Sequence, residues 1–163
     1  MEQPAGNKIT GNPSSHPALS VKWVEDFPDI PLNRNEAYKL RVTSKGVEIE
    51  AITETGVYRA IQTLRQLTEK KGNGIAITGC EITDWPAFRI RGFMQDVGRT
   101  YISTDELKRE IAILARYKIN VFHWHLTENQ AWRLESKIFP MLNDSANMTR
   151  MAGKYYTLEE ARE

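Results

Sequence analysis

Lys118-Ile119-Asn120-Val121-Phe122-His123-Trp124-His125-Leu126-Thr127-Glu128-Asn129-Gln130-Ala131-Trp132-Arg133 is the stretch on which the reading of the fold turns. Asn120 to Leu126 is a short apolar run, of strand length, rich in aromatic residues. Successive side chains of a strand point to opposite faces, so His123 and His125 share one face and Trp124 takes the other. Thr127-Glu128-Asn129-Gln130 follows at once. It sets a carboxylate and two amides at the strand's C-terminal end, where parallel α/β enzymes build their sites.

Upstream, Phe88-Arg89-Ile90-Arg91-Gly92-Phe93-Met94 reads as an earlier strand running into a loop. Ser103-Thr104-Asp105-Glu106 has the spacing of a capping box, with Ser103 as N-cap and Glu106 reaching back. The helix it opens carries Leu107, Ile111 and Leu114 on one face. Downstream, Thr157-Leu158-Glu159-Glu160 repeats the capping pattern. The order strand, helix, strand, loop, helix start predicts a parallel sheet. Glu163 ends the sequence one turn into that last helix, which reads as a truncated protein or a cut piece.

Pro86 in Asp84-Trp85-Pro86 predicts a boundary, since the residue before proline disfavours helix. Ahead of it lies a different pattern. Tyr38-Lys39-Leu40-Arg41-Val42 and Val47-Glu48-Ile49-Glu50-Ala51 alternate with period two around a Ser44-Lys45-Gly46 turn, a hairpin signature. On its outer face Lys39 and Arg41 are expected loosely against Glu48 and Glu50. Val57, Ala60, Ile61, Leu64 and Leu67 recur at helical spacing, with Arg59, Gln62 and Arg65 on the other side and Gly72 as the stop. Ile75-Ala76-Ile77-Thr78 reads as a strand. Met1 to Pro17, dominated by Gly, Pro, Ser and Asn, reads as a flexible tail. The expected organisation is a tail over 1–17, a small α+β domain over 18–84 (an antiparallel sheet with a covering helix), and an α/β unit over 85–163.

The 163 residues carry a net charge of +1, which argues against a nucleic-acid surface built on bulk charge. No stretch is long and apolar enough for a membrane span. Met1 to Ser15 lacks the apolar core of a secretory signal. The single cysteine, Cys80, leaves no internal disulfide and reads as a small core residue.

Three places can do chemistry. His123 and His125, on one strand face, suit a metal, but a catalytic zinc needs at least three protein ligands. The third histidine, His16, lies in the tail. The plainer reading is that both imidazoles fill an interior. Glu128 is either a site carboxylate or a loop cap, and Trp132 either stacks on a sugar face or packs in a core. In Asp96-Val97-Gly98-Arg99 the guanidinium can hold two adjacent hydroxyls with Asp96 fixing its orientation, or the two form a structural ion pair.

Asp84-Trp85-Pro86-Ala87-Phe88-Arg89-Ile90-Arg91-Gly92, then Asp96-Val97-Gly98-Arg99, then the Lys118–Arg133 run resemble, in order, the opening of the catalytic domain of family 20 glycoside hydrolases. Tyr155-Tyr156-Thr157 resembles the family's approach to its second barrel helix, and Gly56 to Leu67 the helix of the small domain before the barrel. The resemblance runs from about residue 20 onward.

It implies the first strands and helices of a truncated (β/α)₈ TIM barrel with its site at the C-terminal face. It also implies an exo-acting β-N-acetylhexosaminidase that works by substrate-assisted retention, outside the usual two-carboxylate scheme. In that chemistry the substrate's 2-acetamido oxygen attacks the anomeric carbon, a Glu protonates the leaving oxygen, and the preceding Asp orients the acetamido group. Neither metal nor organic cofactor is implied.

By the same resemblance Arg99 and Glu128 bind substrate, and Asp96, His123, His125 and Trp132 support them. The family's usual Asp-Asp is Glu128-Asn129 here. The catalytic Asp-Glu pair follows the family's fourth barrel strand, so no residue of this chain takes that role and the chain alone is expected to be inactive. The implied partners are N-acetylhexosamine-terminated glycans or oligosaccharides, with self-association of the incomplete barrel. The implied setting is periplasmic, secreted or lysosome-like. A non-catalytic carbohydrate-binding or assembly module, and a metal-dependent hydrolase using the His-x-His strand, stay open as alternatives.

Overall fold

The computed structural model describes residues 8–9 and 18–163, which fall into two compact units divided between Arg89 and Ile90. His16 and most of the polar N-terminal stretch lie outside the described residues.

The first unit contains β1 (Lys8–Ile9), β2 (Ala18–Trp23), β3 (Tyr38–Thr43), β4 (Gly46–Ala51), α1 (Glu54–Leu67), β5 (Thr68–Lys71), β6 (Gly74–Thr78) and β7 (Cys80–Asp84). Its main sheet has the order β2-β4-β3-β7. The hairpin β3–β4 forms in the expected register, Leu40 opposite Ile49. The inward residues Tyr38, Leu40, Val42, Val47 and Ile49 are buried with Ala60, and Val57, Ile61, Leu64 and Leu67 of α1 pack on them. Cys80 joins the rim of this core, where burial raises its thiol pKa.

The helix lies close to the strands because residue 56 has no side chain. A Cβ on Gly56 would meet the Ala37 carbonyl oxygen at 2.5 Å and the Ala51 Cβ at 3.1 Å.

Several local expectations are corrected. The main sheet is mixed, since β2 pairs parallel to β4. Lys39 and Arg41 do face Glu50 and Glu48 in register, but Glu50 pairs with Lys22 at 2.7 Å and Arg41 with Glu81 at 2.7 Å. Flanking strands bring countercharges that hairpin arithmetic alone omits. Arg59 and Gln62, read as the helix's outer side, are buried. A 3₁₀ turn at Arg34–Glu36 partners the first of them, with Arg59 Nε 3.0 Å from Glu36 Oε2.

The helix stops at Leu67, where Thr68 turns extended and its hydroxyl donates to the Leu64 carbonyl at 2.9 Å. Gly72, at φ +57°, serves the hairpin between β5 and β6. β6 belongs to a second sheet, β1-β6-β5, in which Lys8–Ile9 pairs with Ile77–Thr78. β7 closes the main sheet against β3.

The second unit contains β8 (Gly92–Asp96), α2 (Thr104–Arg116), β9 (Val121–His125), β10 (Thr127–Glu128) and β11 (Ala131–Trp132). β8 and β9 are parallel, Gly92 opposite Val121 and Asp96 opposite His125. β8 begins four residues later than the alternation of Phe88 to Arg91 suggests. Of that segment the Arg91 carbonyl is met by the start of β9, accepting from the amides of Asn120 and Val121 at 3.0 and 3.3 Å, and Phe88 and Ile90 stay exposed.

The Ser103–Glu106 capping box is complete, and Thr157 and Glu160 exchange the same reciprocal bonds. Val97, Leu107 and Tyr156 form the core, with Tyr101, Ile102, Phe122, Trp124 and Leu126 against it. Of the predicted α2 stripe, Leu107 is buried and Ile111 is exposed. Among the described residues no helix is long and apolar enough to cross a membrane.

Candidate active site

Parallel pairing brings the last residues of β8 and β9, Asp96 and His125, side by side. The chain leaving β8 then folds back over β9, because the amides of Val97 and Gly98 both donate to the His125 carbonyl, at 3.0 and 3.2 Å. Gly98 permits this approach. A Cβ there would stand 2.9 Å from the Cβ of Glu128 and 3.1 Å from its backbone nitrogen.

The fold-back delivers Arg99 to two carboxylates. Its Nη1 lies 3.0 Å from Asp96 Oδ2 and its Nη2 2.7 Å from Glu128 Oε1. The Arg99 amide also donates to Asp96 Oδ1 at 3.1 Å. The guanidinium side chain is 56% exposed, so it is anchored at one edge and open to solvent at another.

The His125 ring stands between the same acids, Nδ1 at 3.9 Å from Asp96 Oδ1 and Nε2 at 3.7 Å from Glu128 Oε1. Those distances exceed a hydrogen bond but remain within electrostatic reach. His123 sits one rung back with its ring 5.9 Å from that of His125, on the shared face expected of the strand. Trp124, on the opposite face, packs edge-on against Tyr156 at 4.6 Å.

Asp96, Arg99, His125 and Glu128 therefore converge. Trp132 does not join them directly. In the β10–β11 ribbon Glu128 is opposite Ala131 and Trp132 is opposite Thr127, so register puts Trp132 on the other face from Glu128.

Asp96, His125 and Glu128 each offer one ligand atom within 4.8 Å of the others. This triad differs from the His123–His125 pair that the strand suggested for a metal. Arg99 already supplies its positive charge, bridging the two carboxylates. Donor and acceptor groups side by side suit a vicinal diol, whose oxygens accept from the guanidinium while its protons go to a carboxylate.

One organising residue escapes sequence reasoning. Arg133 is wholly buried. Its Nε donates to the Val97 carbonyl at 3.0 Å and its Nη2 to Gly98 and Arg150, at 3.2 and 2.8 Å. Its Nη1 donates to Met151 and Lys154, at 3.1 and 2.7 Å. Five N–H donors meet five carbonyls, the full capacity of a guanidinium, and Nη1 also stands 3.6 Å from Met148 Sδ. Burial lowers its pKa. The one available signal is its place at the end of the Lys118–Arg133 run.

Comparison with known proteins identifies the family. Residues 88–163 match the model of the glycosyl hydrolase family 20 catalytic domain, and residues 4–85 match domain 2 of the same family. A β-hexosaminidase of Porphyromonas gingivalis is 40% identical over 175 residues, covering 99% of this chain and 21% of the relative. A β-N-acetylhexosaminidase of Cellulomonas fimi is 37% identical, covering 83% of this chain and 27% of the relative.

The crystal structure of a β-N-acetylhexosaminidase from Bacteroides fragilis superposes with a TM-score of 0.76 at 34% identity, over 88% of this chain and 29% of that one. An exo-β-N-acetylglucosaminidase from Vibrio harveyi, in complex with N-acetylglucosamine, gives 0.74 at 33% identity, over 88% and 24%. The chain thus spans about a fifth to three tenths of the length of these relatives.

Proposed function

The chain belongs to glycosyl hydrolase family 20, and from that premise we propose that it supplies the hydroxyl-holding half of a β-N-acetylhexosaminidase site. The observation that carries the reading is Arg99, held by Asp96 and Glu128 at the C-terminal ends of two parallel strands with an edge open to solvent. Such a guanidinium is already oriented, so little of its freedom remains to be lost on binding.

In this reading Arg99 donates to two neighbouring hydroxyls of a terminal N-acetylhexosamine and Glu128 accepts from one of them. Asp96 keeps Arg99 in place. His125 completes the wall, and its two nitrogens face the two acids. The acid and the acetamido-orienting carboxylate of the family's mechanism correspond to no residue of this chain. Its groups bind and orient, and turnover is assigned to the whole protein.

The test is hydrolysis of a nitrophenyl N-acetylglucosaminide by the full-length protein, with wild-type and Arg99→Ala compared. Turnover that depends on Arg99 supports the reading, and turnover indifferent to Arg99 sinks it. A binding module without turnover is the second reading. It is favoured by the mutual pairing of Arg99 with Asp96 and Glu128, an arrangement that holds hydroxyls, and sugar binding without nitrophenol release by the full-length protein identifies it.

A further inference from the structure

Arg99 is aimed by its carboxylate partners, but the loop that carries it is fixed by something else. That loop leaves β8 at Asp96 and reaches Arg99 through Val97 and Gly98 alone. Both intervening peptides are tied on two sides. Their amides go to the His125 carbonyl, and their carbonyls go to the Arg133 guanidinium.

We propose that Arg133 is a positioning residue for sugar binding, acting through Arg99. By clamping the Val97 and Gly98 carbonyls it sets where the Arg99 guanidinium meets the terminal sugar. This inference rests on the hydroxyl-holding role proposed above for Arg99.

Three features separate this arginine from an ordinary structural ion pair. Five of its six hydrogen bonds go to backbone carbonyls, the sixth being a longer contact from Nη1 to Met148 Sδ at 3.6 Å, so what it fixes is chiefly main-chain position. Two of the five carbonyls belong to the residues immediately before Arg99, and the other three belong to the segment 150–154. The side chain is wholly buried and cannot touch a sugar itself. Lysine cannot replace this fork, since an ammonium has three donors radiating from one atom.

The experiment measures kcat and KM for a nitrophenyl N-acetylglucosaminide in the full-length protein, in wild-type, Arg133→Lys, Arg99→Ala and the double variant. A thermal melt of each sets the assay temperature. Arg133→Lys is expected to raise KM about tenfold, the scale of one weakened charge-assisted hydrogen bond. It should leave kcat within about threefold, because binding is lost rather than transition-state stabilisation alone. In the Arg99→Ala background the same substitution should change KM little, because a residue acting through another is silent once that one is gone.

An arginine that only stabilises the fold gives additive effects in the two backgrounds, and that result overturns the proposal. So does an unchanged KM in the single variant. If Arg133→Lys does not fold, Gly98→Ala carries the test. It displaces the same loop from the Glu128 side and must raise KM more in the wild-type background than in Arg99→Ala, where only the Glu128 contact is left to disturb; an unchanged KM, or equal effects in the two backgrounds, overturns the proposal.

A full-length wild-type protein that never releases nitrophenol removes the hexosaminidase reading by itself. The clamp is then judged by amide exchange. Faster exchange at Gly98 and Arg99 in Arg133→Lys, with Phe93 to Gln95 unchanged, supports it, and equal exchange overturns it.

Discussion

The phenol of Tyr38 donates to Asp84 Oδ2 at 2.8 Å and shares a second hydrogen bond with Thr63 Oγ1 at 2.6 Å. A residue at the start of β3 thereby holds the acid that opens the Asp84-Trp85-Pro86 motif and joins both to α1. The first acid of that motif, read from sequence only as a boundary mark, serves the core of the small unit.

Tyr38→Phe keeps the ring, which is buried among Leu40, Val42 and Ile49, and removes only the hydroxyl. The expected loss is about 1.5–3 kcal/mol, the range for a hydrogen bond to a charged group. Urea unfolding followed by circular dichroism checks it, and an unchanged midpoint contradicts the role given to the phenol.

Gly56→Ala tests the close approach of α1 to the strands. Helix propensity alone favours alanine by up to about 1 kcal/mol. The new methyl would stand 2.5 Å from the backbone oxygen of Ala37, which has no flexible end to move. Net destabilisation of about 1–3 kcal/mol, as for other overpacked sites, is the expected outcome. A stabilised variant would mean the helix shifts freely on its sheet.

Arg99→Ala removes the guanidinium from a largely exposed position, so stability should change by less than about 1 kcal/mol. In the full-length protein the loss in kcat/KM should reach about 1.5–3 kcal/mol for each sugar hydroxyl it holds. Near wild-type kinetics would reduce Arg99 to a structural partner of Asp96 and Glu128.

Alkaline stability should depend on Tyr156. Burial pushes its pKa up to about 12, against an ordinary value of 10. Between those values the unfolded chain sheds the phenolic proton and the folded chain keeps it. The unfolded state then binds fewer protons, and stability falls as pH rises from about 10 to 12. Two pK units correspond to a loss on the order of 2–3 kcal/mol, and none of it is felt below pH 9. Tyr156→Phe should flatten the alkaline limb in pH-dependent melts, leaving the smaller share of Tyr101, whose pKa burial also raises.

Ser103→Ala should cost about 0.5–2 kcal/mol, the usual value of an N-cap. It should also change the acid limb. Hydrogen bonds from the Ser103 side chain and backbone hold the Glu106 carboxyl below its ordinary 4.5. That contribution is present above the unfolded value and lost as pH falls through the folded one. The variant should show a shallower loss of stability below pH 4.5, and an identical acid profile would contradict the capping assignment.

Local patterns were legible because local forces decide them. Alternation in Tyr38 to Ala51, the helical spacing of Val57 to Leu67 and the Ser103–Glu106 spacing each involve neighbours in sequence, and each appears in the structure. The convergence of Asp96, Arg99 and Glu128 was visible only as three residues near strand ends. Their meeting depends on the parallel register of β8 and β9 and on the missing side chain at Gly98, neither of which a single segment encodes. β7 escaped notice although Cys80-Glu81-Ile82-Thr83 alternates, because so short a run becomes a strand only through pairing with β3. Arg59 and Arg133 escaped for one reason. Sequence rules put arginine outside, and both are buried by partners distant along the chain, Glu36 for one and five carbonyls for the other.

The five-carbonyl clamp also bears on how the second unit assembles. A guanidinium buried away from water tolerates few missing partners, because each unmade bond leaves a cation facing a medium of low polarity. The carbonyls around Arg133 come from 97–98 and 150–154, stretches about fifty residues apart. Neither stretch can peel away alone without stranding the charge. Partial opening is thereby penalised relative to complete opening, and the loop next to Arg99 shares the unfolding cooperativity of the whole unit rather than fraying as a surface loop does.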